Sequence, residues 1–159
     1  MNSKLLFILI FTFFLSSCIS TQQNKEEPSL IGVWSLKYDG NGAYWFSQIA
    51  FTKNGKKCVL SYNFDQKGNV AMDYYLNDYE IVDGVLVTEV VFSSTPYLPA
   101  GYIIRDRIEH MGDDTLELFM IEPEGTVVEK HQKLHGVNPN SICQVVRNFA
   151  YNKQINKDT

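Results

Sequence analysis

The sequence predicts an all-β fold: an eight-stranded antiparallel up-and-down barrel with a short C-terminal helix. Three observations carry this expectation. From Leu30 onward, apolar residues recur with period two rather than 3.6, the pattern of strands with one dry and one wet face. Turn residues separate these runs, with Asn54-Gly55 and Asp83-Gly84 as the strongest hairpin signals, because a two-residue type I′ turn needs positive φ at both central positions. After His135-Gly136 the period changes, and the last apolar residues follow helical spacing.

The strands follow in order. Gly32, Trp34, Leu36 and Tyr38 alternate with Val33, Ser35 and Lys37, giving a strand over 31–39. Trp45, Ile49 and Phe51 share a face with Ser47 in a second, over 43–52. In a third, over 57–64, Cys58, Leu60, Tyr62 and Phe64 form the dry set, and Lys57, Val59, Ser61 and Asn63 alternate with them. Val70, Met72, Tyr74 and Leu76 mark a fourth over 69–82, with a bulge expected near Asn77-Asp78. Strands over 85–92, 101–111, 115–122 and 126–133 complete the set. A meander of eight strands has two exposed edges, and closing it into a barrel removes them. A two-sheet sandwich is the alternative, but Greek-key crossings need longer connections than most of these.

One connection is long. Ser93 to Ala100 contains Pro96 and Pro99 and reads either as a portal lid or as a stiff crossing. Asn138-Pro139 then offers an N-cap with Pro at the first helical position. Ile142, Val145, Val146 and Phe149 follow at helical spacing, so the chain predicts an amphipathic helix over 139–151, lying on the barrel wall. The tail, 152–159, is expected to be disordered.

The N-terminal segment carries an address. Lys4 precedes an apolar run of eleven residues, Leu5 to Leu15. A bilayer span needs about 20 apolar residues, and the shorter run suits a signal-peptide core. The following Leu15-Ser16-Ser17-Cys18 resembles the lipobox of bacterial lipoproteins. That resemblance implies a signal peptide over 1–17, cleavage before Cys18, thioether lipidation of Cys18, and acylation of the new amino terminus by a palmitate-type chain. Several acyl chains give stable anchoring where one is marginal. An ordinary secretory signal with a cysteine nearby is the alternative. Position 19 is Ile rather than Asp. By resemblance to Gram-negative sorting rules, this favours the outer membrane, facing the periplasm. In a Gram-positive cell the same anchor would sit on the cell membrane.

Residues 18–29 read as the lipidated Cys and a polar tether reaching about 15–20 Å by coil statistics. Residues 30–151 suit one domain. The formal charge of the whole chain is −4, with no basic patch, which argues against a nucleic-acid partner. With Cys18 given to the lipid, Cys58 and Cys143 remain as a pair in an oxidising compartment, where a bridge is expected. It would close a loop of about 85 residues, for which the chain-entropy model gives roughly 4 kcal/mol. Two buried free thiols are the alternative.

Leu30-Ile31-Gly32-Val33-Trp34 opens the first strand with the G-x-W motif of the lipocalin-like superfamily, and the chain resembles that superfamily. The resemblance implies a Trp that closes the narrow end of the barrel, a Gly that lets backbone pass close beneath it, a C-terminal helix, and a disulfide tying the C-terminal segment to the wall. The family's T-D-Y turn has no counterpart here. Lys130 and Arg147 are the candidates for the cation that packs on the Trp.

No nucleophile elbow, zinc-protease helix, P-loop or dinucleotide glycine pattern is present, so the chain reads as a non-enzyme without a cofactor. His131 and His135 read as surface histidines near a strand terminus rather than a metal pair. Tyr102, Ile104, Asp106, Ile108 and His110 alternate on one face of the sixth strand. If the isoleucines point inward, Asp106 and His110 do too, and a buried carboxylate needs a partner. Asp106 is then either the polar end of an apolar pocket or a carboxylate near the mouth bonded to its neighbours. Trp34, Trp45, Tyr62, Tyr74 and Tyr102 are the candidate lining, with plain core as the other reading. An eight-stranded barrel is either filled by side chains or holds one small ligand. The expected function is a membrane-anchored barrel that binds a small apolar ligand. The alternative is a protein-interaction module or inhibitor in the periplasm, acting through rim loops such as Ser93–Ala100, with its protein partner unspecified.

Overall fold

In the computed structural model, residues 29–40, 43–122 and 125–155 are described. The expected signal peptide, Cys18, the expected tether up to residue 28 and the tail from 156 onward lie outside the described residues. The chain forms β1 (Gly32–Gly40), β2 (Ala43–Phe51), β3 (Lys56–Phe64), β4 (Val70–Val82), β5 (Val85–Ser93), β6 (Ile103–Met111), β7 (Thr115–Glu122), β8 (Gly125–Lys133) and α1 (Pro139–Ile155). Each strand pairs with the next, and β1 pairs with β8 through Trp34–Lys133 and Ser35–Gln132. The result is a closed antiparallel barrel of eight strands. The sandwich alternative is excluded by that closure.

The turns form for local reasons. Asp83 and Gly84 both have positive φ, 51° and 78°, as a two-residue type I′ turn requires. Asn54-Gly55 departs from the expected type I′ turn, because only Gly55 has positive φ. The Gly55 amide donates to the Thr52 carbonyl at 3.2 Å, and the Thr52 amide to the Lys56 carbonyl at 3.0 Å. The expected bulge on β4 lies one step earlier, between Leu76 and Asn77, where the register with β5 shifts.

The helix begins where capping chemistry places it. The Asn138 side chain accepts from the Asn140 amide at 3.0 Å, and its carbonyl accepts from the Ser141 amide at 3.0 Å, satisfying donors that a helix start leaves open. The helix runs to Ile155, so residues 152–155 are helical rather than part of the expected disordered tail. In its last turn Lys153 donates to the Ser94 carbonyl. Cys58 and Cys143 are bridged, with an S–S distance of 2.01 Å and Cα atoms 5.2 Å apart.

Two apolar clusters result. One fills the closed end of the barrel, with Leu30, Trp34, Ile49, Phe51, Leu86, Leu116 and Leu118. The other lies outside the wall, between α1 and the outer faces of β1 to β4. Its buried members include Val33, Ala50, Cys58, Leu60, Tyr74, Cys143 and Val146. The dry set read on β3 and β4 therefore faces the helix, and the alternate set faces the interior.

Candidate functional site

The barrel interior is sealed at one end and hollow at the other. At the sealed end Trp34 is fully buried, and its indole Nε1 donates to the Leu30 carbonyl at 2.8 Å. Lys133 Nζ stands 5.1 Å from the ring centroid, within cation–π range. Gly32, at φ 145°, passes so close that an added Cβ would stand 3.1 Å from Lys133 Cε. The cation over Trp34 is thus Lys133. Of the two candidates read from sequence, Lys130 pairs with Glu117 at 3.0 Å, and Arg147 is exposed on α1.

Above this plug lies a cavity of about 370 Å³. Its apolar wall includes Leu36, Trp45, Ile49, Val59, Ile104 and Met120. Leu98, from the long β5–β6 connection, also lines it, so that segment contributes to the mouth. The remaining wall is polar: Ser47, Lys57, Ser61, Asn63, Asp73, Tyr75, Asn77, Asp106 and Glu129. Ser47 and Ser61 bond to each other across β2 and β3. Asn63 donates to Asp73 at 3.0 Å.

A charged layer spans the floor. Lys57 on β3 is buried, with Nζ 3.9 Å from Asp106 Oδ2 on β6 and 3.5 Å from Thr88 Oγ1 on β5. Its stem runs beside Phe51, with Nζ 5.8 Å from that ring. Asp106 is 3% exposed and Thr88 fully buried. On β8, Glu129 Oε2 lies 3.0 Å from Nε2 of the buried His131. Burial pushes the Lys57 ammonium below the ordinary lysine range, and the Asp106 and Glu129 carboxylates oppose that by attraction.

The sign of this shift gives a measurable consequence. Between its folded and unfolded pKa values, Lys57 binds its proton more in the unfolded chain, so stability rises with pH through that window. Burial pushes Tyr74, Tyr75 and Tyr79 upward, which acts in the opposite direction at alkaline pH. Lys57→Met retains those tyrosines and so isolates the lysine. The unfolding free energy of the wild type, relative to Lys57→Met, is expected to climb as pH rises toward the ordinary lysine value. A difference that stays flat in urea titrations across that range would show Lys57 to be solvated.

Of the residues proposed from sequence, Trp45 and Asp106 line the cavity, and Trp34 lies in the plug beneath it. Three do not reach the interior. Tyr62 and Tyr74 are on the outer face: Tyr62 pairs with Phe46 over an outer groove, and Tyr74 stacks on Phe92 beneath α1. The reason is the bridge, since Cys58 must face the helix and the period-two alternation carries Leu60 and Tyr62 with it. Tyr102 precedes β6 and is 49% exposed. His110 also leaves the predicted face, because the register with β7 shifts between Ile108 and His110. His131 is a correction as well. It is buried inside the barrel, opposite Leu116, whereas His135 is exposed and pairs with Asp114 at 2.7 Å. Lys57, Asn77, Asp73, Tyr75 and Glu129 were missed.

A solved structure of a lipocalin-like protein from Bacteroides uniformis is similar to this chain at 16% identity and a TM-score of 0.44. The match covers 66% of this chain and 98% of that one. No protein-family model matches the chain, and no curated protein is similar to it.

Proposed function

We propose that this chain is a lipid-anchored binding protein of the bacterial cell envelope, and not an enzyme. Its barrel holds one small molecule with an apolar body and a polar end. The observation that carries this reading is the cavity, about 370 Å³, with Trp45, Ile49, Leu98 and Met120 on its wall and Lys57, Asp106 and Glu129 at its floor. Concave sites of this size with a few convergent polar groups are the usual form of small-molecule pockets. An apolar ligand, the expectation from sequence, would offer no partner to the polar part of that wall, and a polar end does. The anchor at Cys18 rests on the resemblance of Leu15-Ser16-Ser17-Cys18 to a lipobox. Among the described residues no helix is long and apolar enough to cross a membrane.

Mass spectrometry of the chain extracted from its native envelope tests both halves. The expected spectrum shows a mature chain beginning at an acylated Cys18. It also shows a small-molecule adduct retained under native conditions and lost on denaturation. A chain recovered without any adduct, before and after incubation with total envelope extract, would sink the binding half. An unmodified Cys18 in the membrane fraction would sink the anchor.

A further inference from the structure

The chemistry of the floor says which polar end fits, if the cavity is a binding site as proposed above. Among the described residues, the wall carries three carboxylates, Asp73, Asp106 and Glu129, against one ammonium, Lys57. Lys57 is already engaged by Asp106 and Thr88. Asn63 and His131 orient Asp73 and Glu129. The buried His131 ring meets Glu129 through Nε2, and its Nδ1 has no hydrogen-bond partner among the described residues. The formal charge of Lys57, Asp73, Asp106 and Glu129 together is −2.

A second, independent observation points the same way. Asn77 is 3% exposed and lines the cavity beside Lys57, its register partner on β3, yet its Oδ1 has no hydrogen-bond partner among the described residues. A buried acceptor without a donor is costly. A ligand that brings donors satisfies it, and a ligand that brings only acceptors does not. Carboxylates and an amide oxygen on the wall of one open-mouthed cavity make it acceptor-rich and negative, and its low-dielectric walls strengthen attraction for a cation.

We infer that the ligand carries a protonated amine, held in the field of Asp73, Asp106 and Glu129, with its apolar body against Trp45 and Ile104. Lys57 then serves as the counter-charge that holds Asp106 in place, not as an anchor for an anion.

Three probes that share one body and differ in the polar end test this: phenethylamine, 2-phenylethanol and phenylacetate. Binding is measured by isothermal titration on the full-length chain in lipid nanodiscs, with empty nanodiscs subtracted. Phenethylamine is expected to bind at least about tenfold more tightly than 2-phenylethanol, with phenylacetate weakest. In the double variant Asp73→Asn, Glu129→Gln, each side chain keeps its shape and can still bond to Asn63 or His131. There the ratio of amine to alcohol affinity is expected to fall about tenfold. Near-ultraviolet circular dichroism matching the wild type establishes that the variant is folded. Equal affinities for the three probes, or tightest binding of phenylacetate, would overturn the amine inference and leave the binding reading standing. An unchanged ratio in the folded double variant would overturn it as well. No binding by any of the three would overturn the binding reading and, with it, the inference.

Discussion

Trp34→Ala is expected to lower the unfolding free energy by about 3–5 kcal/mol, the range for deleting a large buried aromatic. Trp34 is fully buried, and the plug around it is built from Leu30, Phe51, Leu86, Leu116 and Leu118. These residues come from the segment before β1 and from β2, β5 and β7, so no single element can move inward to fill the space. Two polar consequences add to the cavity. The Leu30 carbonyl loses its indole donor, and Lys133 loses the ring beneath its ammonium. Both lie near the β1–β8 seam, where Trp34 and Lys133 are paired, so the loss is also expected to loosen barrel closure. Urea unfolding gives the magnitude. Amide exchange at Val33, Ser35 and Leu134 gives the location, since the Leu134 amide donates to the Val33 carbonyl at 2.7 Å. Trp45→Ala is the internal comparison. Trp45 already borders the cavity, so its removal enlarges an existing space and is expected to cost clearly less. Equal costs at the two positions would mean that the plug is no better packed than the cavity wall.

The strand count and the meander were legible in the sequence because they depend on local signals, the closure because open edges are costly, and the bridge because two cysteines remained to pair. Period-two runs mark strands, and turn residues mark their ends. The helix start at Asn138-Pro139 is equally local, and the cap bonds to Asn140 and Ser141 are the contacts that such a pair makes. Which face of each strand points inward is a different matter. On β1, β2 and β7 the apolar set faces in, with Trp34, Ile49 and Leu118 as members. On β3 and the upper half of β4 the apolar set faces out, with Leu60 and Tyr74 as members. Hydrophobicity alone does not separate these cases, because both faces are dry in places: one meets the core and the other meets α1.

The information was nonetheless present in the cysteines. A bridge from Cys58 to a helix outside the wall requires Cys58 to point outward. Strict alternation then sends Lys57, Val59, Ser61 and Asn63 inward, and all four line the cavity. Tyr62 as cavity lining and Cys58 bridged to the helix were incompatible expectations. The β8 strand offered no comparable handle, since Glu129 and His131 alternate with Lys130 and Gln132 and both faces carry polar groups. Its orientation is set by register with β7, where Leu116 pairs with His131 and Leu118 with Glu129. The register shift after Ile108 is likewise a tertiary feature, and it is what turns His110 away from the face it shares by alternation with Asp106.

Removing the bridge by Cys58→Ala, Cys143→Ala is expected to cost about 2–5 kcal/mol, the range for a native disulfide in a small secreted domain. Part of that cost is general, because the bridge shortens the unfolded chain across a separation of 85 residues. Part is local, and the two parts are separable. The helix rests on β2, β3 and β4 through Val146, Ala150, Ile142 and Phe149, and Tyr74 bonds back to the Phe149 carbonyl at 3.4 Å. Val33, Ala50 and Leu60 on the outer wall are covered by this packing. Without the bridge, apolar burial, the Tyr74 bond to Phe149 and the Lys153 contact to Ser94 remain to hold α1. Local opening of α1 is therefore expected to become easier than global unfolding, with faster amide exchange over 142–153 than over β6 and β7. A purely entropic bridge would instead accelerate exchange throughout the chain by a common factor. The distinction bears on the cavity, because Lys57, Val59 and Ser61 alternate with the residues that α1 covers. Ligand affinity in the bridge-free variant should fall if α1 holds β3 in register, and stay unchanged if the closed hydrogen-bond ring of eight strands suffices.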